Sequence, residues 1–179
     1  IKWTWSWMSN RTYQVRVGGD LSEEEHWKRG GPQGSLLTPA CWAVVYSQVV
    51  RRFVDVESPL FVDDLAMYAD VDNDDWCEKE KVMQRNLDKM STFCSKWGLL
   101  LNVDKTKVMM FTRSDKIKKR ELALHVNNVL LERVSEHEYL GMTLDAEMKF
   151  HSHCEKLTKK MKSRVGMVLR IGGWSWGCP

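Results

Sequence analysis

Two clusters in the sequence have residue types that could do chemistry. Asp63 and Asp64 are adjacent carboxylates set between Leu60-Phe61-Val62 and Leu65-Ala66-Met67. In a stretch that otherwise favours burial, carboxylates must be paired, protonated or metal-bound, because an uncompensated buried charge is too costly to keep. An Asp-Asp pair in an arbitrary sequence is most simply a turn with both acids in water; the apolar flanks on both sides point instead to a hard-cation site. Oxygen ligands of this kind suit magnesium, which takes one or two carboxylates and completes its shell with water and substrate phosphates. Two such ions would activate an attacking hydroxyl and stabilise a leaving oxygen in phosphoryl transfer. The second cluster is Gly30-Gly31-Pro32-Gln33-Gly34-Ser35. Its glycines permit close approach of a ligand, and Gln33 offers both a donor and an acceptor. It lacks the Gly-Lys-Ser/Thr ending of a phosphate-binding P-loop. His151-Ser152-His153-Cys154 is half of a zinc pattern with no second half at finger spacing, so a helix with a buried cysteine is the simpler reading.

The elements that must position these residues follow from periodicity and turn residues. Tyr13 to Val17 alternates and meets Gly18-Gly19-Asp20, a strand entering a hairpin. Thr38 can cap, and Pro39 can open, a helix reaching about Phe53, with Leu36, Leu37, Trp42, Val45, Val49 and Phe53 available to a core. Residues 60 to 69 read as two short strands with Asp63-Asp64 at or beside their junction. Trp76, Met83, Leu87, Met90, Cys94 and Trp97 mark one face of a helix entered from Asn73 and ended by Gly98. Three strand-like runs follow, Lys107 to Thr112, Glu121 to Val126 and Val129 to Val134, the last two joined by an Asn127-Asn128 turn. A run at Tyr139 to Leu144 leads to a final helix from about Met148 to Ile171, closed by Gly172-Gly173. The order predicts an α+β core with a helical appendage and a seam near residue 145.

Composition sets the outer bounds. The chain has 179 residues, of which 43% are hydrophobic and 28% charged, enough to bury a core and too apolar for wholesale disorder. No run approaches the roughly 18 apolar residues of a membrane span, so the expectation is an intracellular protein without a membrane partner. The five cysteines are scattered and form no Cys-x-x-Cys pair, which argues against a disulfide framework. The net charge of +3 conceals an uneven distribution: residues 105 to 120 carry 7 basic and 1 acidic groups and residues 149 to 179 carry 7 and 1, around otherwise acidic stretches. Such segments could follow a phosphate backbone, although on charge alone solvated surface is the simpler reading.

The motifs occur in a telling order. Gly30 to Pro39, then Phe61-Val62-Asp63-Asp64-Leu65, then Trp97-Gly98-Leu99 with Asn102 and Lys105-Thr106, then Tyr139-Leu140-Gly141, together resemble the reverse transcriptase of non-LTR retrotransposons, in particular the jockey-like group. Thr38 stands where the family pattern has serine and Val62 where alanine is common, both mild departures. The resemblance implies a partial right-hand polymerase palm over residues 1–145 and the start of a basic helical thumb or connection over 146–179. It implies RNA-directed DNA polymerisation, with Asp63 and Asp64 catalytic and binding Mg2+, or Mn2+ in its place. Gln33, Gly34, Ser35 and Lys105 would border the nucleotide and template, and Tyr139, Leu140 and Gly141 would form a primer grip. The implied partners are an RNA template, a DNA primer or target, deoxynucleoside triphosphates and the remainder of the same polyprotein, in a nuclear or cytoplasmic ribonucleoprotein.

The family pattern also needs an aspartate on a buried strand ahead of the loop, whereas the only aspartate before Gly30 is Asp20, in a Gly-Gly-Asp turn. The expectation is therefore a fragment, with the third metal ligand ahead of Ile1, more thumb after Pro179, and no polymerisation by this chain alone. The alternative reading is a degenerate or domesticated remnant that binds only nucleic acid or a protein partner. A related palm, such as a group II intron maturase or telomerase, fits the Tyr139-Leu140-Gly141 context less well.

Overall fold

A computed structural model describes residues 2–27, 30–32, 34–71 and 75–171. The chain mixes helices with short strand pairs and divides into two compact units, one of Ile1–Phe53 with Glu57–Tyr68 and the other of Val54–Val56 with Ala69–Pro179. Among the described residues no helix is long and apolar enough to cross a membrane.

The first unit opens with a helix absent from the sequence reading, α1 (Lys2–Met8), on which Trp3 and Trp7 stack 6.3 Å apart and Arg11 lies 5.0 Å from the Trp7 ring centroid. The expected hairpin is present but is broken in two. β1 (Thr12–Tyr13) pairs with β4 (Glu25–His26), and β2 (Arg16–Val17) pairs with β3 (Asp20–Leu21) inside it. Between the two ladders the outgoing strand has Gln14 and Val15 while the returning strand has Ser22, Glu23 and Glu24, so one extra residue forms a bulge. Ser22 closes the gap: its hydroxyl accepts the Val15 N–H at 2.9 Å.

Helix α2 (Leu37–Val50) begins one residue before Thr38. Thr38 is inside the helix, and its hydroxyl donates to the Pro32 carbonyl at 2.9 Å instead of capping it. Tyr46 and Val49 are its buried residues, while Leu36 is 95% exposed, so only part of the expected apolar face is used. β5 (Leu60–Phe61) and β6 (Asp64–Leu65) then form an antiparallel hairpin, extended by mutual backbone hydrogen bonds of 2.9 Å between Glu57 and Tyr68.

The second unit is organised by α3 (Trp76–Trp97). Its expected entry at Asn73 lies outside the described residues, as do Gly172 and Gly173. Its end is as expected: Gly98 adopts φ +66°, and the Leu99 N–H returns to the Cys94 carbonyl at 2.8 Å. The buried face carries Val82, Asn86, Leu87, Met90, Phe93 and Cys94, centred differently from the face read in the sequence, where Trp97 at 48% exposure was included. Burial raises the Cys94 thiol above its ordinary pKa.

Two side-chain amides on α3 act as peptide groups. Asn86 Oδ1 accepts the Val54 N–H at 3.2 Å and Nδ2 donates to the Val54 carbonyl at 2.9 Å. Gln84 does the same for His125, at 2.8 Å and 2.9 Å, and Glu80 accepts the Ala123 N–H at 2.8 Å. The strand so held is β8 (His125–Val126), which turns through Asn127-Asn128, both with positive φ, into β9 (Val129–Leu130). Leu124, Val126 and Leu131 complete the buried apolar set of this unit among the described residues.

β10 (Glu132–Val134) runs parallel to β7 (Lys107–Met109), with the short α4 (Asp115–Lys118) and the β8–β9 hairpin in the crossover. The single run expected at Tyr139 to Leu144 is instead a hairpin of β11 (Glu136–Tyr139) and β12 (Met142–Asp145), because Leu140 and Gly141 both take positive φ and reverse the chain. Helix α5 (His151–Ile171) starts three residues later than predicted, since Met148 and Phe150 have left-handed φ values of 53° and 57°. Its apolar positions Leu157, Met161, Val165 and Val168 are exposed among the described residues.

If the buried amide holds the Val54 chain to α3, Asn86→Ala should cost about 1–3 kcal/mol in urea unfolding and Gln84→Ala distinctly less, because Gln84 is nearer water. The reverse ranking would contradict this assignment.

Candidate functional site

The acidic pair is placed by the tightness of its turn. With Phe61 opposite Asp64, only Val62 and Asp63 remain to reverse the chain. Val62 has φ +56° while Asp63 does not, the sign pattern of a type II′ turn, which glycine usually supplies. A β-branched residue there is strained. The consequence is that Asp63 sits in the turn and Asp64 begins the returning strand, so both carboxylates stand at one hairpin tip as the sequence predicted. Contrary to the burial inferred from their flanks, both are exposed, and so are Phe61 and Val62; two-residue strands cannot cover them. Neither carboxylate is engaged in a hydrogen bond or ion pair among the described residues. Two free, adjacent carboxylates are a hard-oxygen donor set that fits part of a divalent-cation site. No group of three potential ligands gathers among the described residues.

The glycine loop is shaped by Thr38 and two left-handed glycines. Gly30 and Gly34 have φ of 84° and 82°. A Cβ on Gly31 would come within 2.7 Å of Thr38 Cγ2, so the hydroxyl bond to Pro32 and the missing side chain at Gly31 depend on each other. Ser35 donates its N–H to the Pro32 carbonyl, and its Oγ accepts the Leu37 N–H at 3.3 Å. Gly34 and Ser35 are thus together at the entry to α2; Gln33 lies outside the described residues.

In the second unit, Lys105 occupies a turn set by Asn102, whose Oδ1 accepts the Lys105 N–H at 3.0 Å and whose carbonyl accepts the Thr106 hydroxyl at 2.8 Å. The Lys105 ammonium is exposed and without an ion pair among the described residues. Tyr139, Leu140 and Gly141 form the tip of the β11–β12 hairpin, with Tyr139 half-buried and Leu140 exposed.

That hairpin is fastened to α5 by polar contacts that the sequence reading missed. Buried Thr143 donates its N–H to His153 Nδ1 at 3.2 Å, and Lys156 donates to the Thr143 hydroxyl at 2.9 Å. Ser152 donates to Glu136 at 2.9 Å. Asp145 accepts three backbone N–H groups, from Glu147, Lys149 and Phe150. The signal available in the sequence was an aspartate a few residues ahead of a helix. Those bonds, Lys149 first and then Phe150, hold the Asp145 carboxyl below its ordinary range. Glu147 is lowered to about 2 by its hydrogen bond from Lys118 and then by that from Lys149, and the same Glu147 bond raises Lys118.

Comparison with known proteins assigns the family. The profile of the reverse transcriptase (RNA-dependent DNA polymerase) family matches residues 1–144. The chain belongs to the reverse transcriptase family. It is 26% identical over 168 residues to a probable RNA-directed DNA polymerase from transposon BS of Drosophila melanogaster, covering 89% of this chain and 18% of that protein. It is 24% identical over 170 residues to the RNA-directed DNA polymerase from mobile element jockey of Drosophila funebris, with the same coverage of each. A putative 115 kDa protein of the type-1 retrotransposable element R1DM, from Drosophila melanogaster, is 25% identical over 150 residues, covering 83% of this chain and 14% of that one. The chain therefore spans about a fifth of the length of the first two relatives. The jockey-like resemblance read from the reverse transcriptase motifs agrees with these relatives. No solved structure matches the chain.

Asp145 and Glu147 titrate below their unfolded values of 3.8 and 4.5. The stability they contribute is present above those values and is lost as pH falls toward the folded ones. The thermal midpoint should therefore drop between about pH 5 and pH 2. Asp145→Asn and Glu147→Gln should lower the midpoint at pH 7 and flatten that drop. An unchanged pH profile in both variants would refute the junction's role.

Proposed function

We propose that this chain is part of an RNA-directed DNA polymerase of a jockey-like non-LTR retrotransposon, contributing a partial palm over residues 1–145 and the start of a basic helical thumb or connection over 146–179. The observation that carries the reading is the Asp63–Asp64 hairpin tip, with both carboxylates free, inside a chain of this family. Asp63 and Asp64 would hold divalent ions, magnesium or manganese in its place. When bound, such ions lower the barrier to attack by a primer 3′ hydroxyl on a deoxynucleoside triphosphate and stabilise the departing pyrophosphate oxygen.

The remaining residues position the reactants. Gly34 and Ser35, with Gln33, would line the approach of nucleotide and template, where the absence of a side chain at Gly34 lets the backbone come close. Lys105 would meet nucleotide phosphates with a free ammonium. The Tyr139–Gly141 tip would brace the primer end, held in place by the bonds from α5 to β11 and β12. The basic residues of α5 would follow the template–primer backbone, a contact that carries no sequence information. Asp63 and Asp64 alone cannot hold both ions in the geometry of phosphoryl transfer, so the 179-residue chain alone should not extend a primer.

The test is a chimera in which this chain replaces the corresponding segment of the jockey polymerase, assayed for primer extension on RNA with magnesium. The chimera should extend, and Asp63→Asn or Asp64→Asn should each reduce extension by roughly 100-fold or more, as expected for losing several kcal/mol of charge stabilisation. A folded chimera with no extension, or variants that retain full rate, would contradict the reading.

A further inference from the structure

Residues 113–120 are the most concentrated basic segment in the second unit, and the structure separates its cations into two groups. One group builds the loop. Arg133 donates from Nη1 to the Arg120 carbonyl at 2.6 Å and from Nη2 to the Lys118 carbonyl at 2.9 Å, fixing the end of α4. Arg120 itself lies 5.7 Å from the Trp76 ring centroid on α3. Lys118, half-buried, is held by Glu147 and lies 3.5 Å from Asp115.

The other group is Arg113, Lys116 and Lys119. They recur every three residues, are exposed, and have no ion pair or hydrogen bond among the described residues. Lys116 and Lys119 are three apart across a helical turn, which sets them on one side of it. The loop is thus pinned from its interior while three cations have no counter-charge among the described residues, and Asp115, the only acid in the segment, is next to Lys118. The exposed residues of this segment are Arg113, Ser114, Asp115, Lys116, Lys119 and Arg120, and the nearest exposed apolar side chain in sequence is a single one, Phe111. A membrane-surface site would carry exposed apolar groups to insert beside its cations.

We propose that Arg113, Lys116 and Lys119 form a docking surface for the phosphate backbone of RNA, additional to the Asp63–Asp64 site and to α5. The surface neutralises phosphates without reading bases, so its contribution is electrostatic and salt-dependent. Naming RNA as the occupant rests on the polymerase reading; the geometry of the surface does not.

The experiment measures binding of a fluorescently labelled 20-nucleotide single-stranded RNA to the 179-residue chain by anisotropy across a salt series, in EDTA so that metal chemistry plays no part. The triple variant Arg113→Gln, Lys116→Gln, Lys119→Gln is compared with a control of equal charge change, Lys2→Gln, Arg16→Gln, Lys96→Gln, with folding checked by circular dichroism. The docking variant should bind more weakly, with its log–log salt slope shallower by about 2, since each phosphate contact on a single strand contributes about 0.7. The control should keep nearly the original slope. Equal losses in both variants, no loss in the docking variant, or no RNA binding by the unsubstituted chain would overturn the proposal, as would a docking variant that keeps its RNA binding but loses binding to phosphatidylserine vesicles in a parallel sedimentation assay. Loss of primer extension in Asp63 variants with this slope change intact would leave the docking surface standing on its own.

Discussion

Helix α3 carries most of the second unit's buried side chains among the described residues and holds the Val54 chain and β8, and a buried amide is what makes that attachment specific. Val82, Leu87, Met90, Phe93 and Cys94 supply non-directional burial against Leu124, Val126 and Leu131. Apolar contact of that kind does not fix register. Asn86 does, because its amide is 1% exposed and must find both a donor and an acceptor, which Val54 provides through its own peptide groups. Gln84 repeats the arrangement at His125 nearer the surface. One helix therefore aligns two non-helical segments through the hydrogen-bonding grammar of a strand.

A similar economy governs the junction between β12 and α5. A helix start leaves backbone N–H groups without partners. Here Asp145 takes three N–H groups from the residues ahead of the helix, while Glu147 joins Lys118 and Lys149 across the same junction. The left-handed conformations at Met148 and Phe150 are tolerated because these bonds hold the chain around them. Charge is spent on shape in this region, and the same holds for Arg133 and Arg120 around α4. What distinguishes Lys105, Arg113, Lys116 and Lys119 is that no comparable internal use claims them among the described residues.

The features legible in the sequence were those enforced by local chemistry. Asn127-Asn128 reverses the chain because asparagine tolerates positive φ, Gly98 ends α3 for the same reason, and Asp63-Asp64 marks a strand junction that the structure contains. The rest depended on partners distant in sequence or on context that periodicity does not reveal. Tyr139 to Leu144 reads as one run, yet Leu140 and Gly141 turn it back on itself. Asn86 sits within an apolar face and is overlooked by any count of hydrophobic positions. The apolar flanks of Asp63 and Asp64 suggested burial, but two-residue strands leave them in water. The parallel pairing of β7 with β10 could not be seen because more than twenty residues separate them.

Asp63 and Asp64, whose carboxylates have no hydrogen bond or ion pair among the described residues, serve the proposed reaction only by taking up a divalent ion. Adjacent like charges on a turn whose backbone is already strained at Val62 favour an arrangement that a hard cation would neutralise. The most direct measurement is a manganese titration of the isotopically labelled chain, read as paramagnetic broadening of backbone amide resonances. The account predicts broadening that begins at residues 61–65 and disappears in the Asp63→Asn, Asp64→Asn double variant. Broadening centred instead on Asp145 and Glu147, or none at residues 61–65, would contradict it.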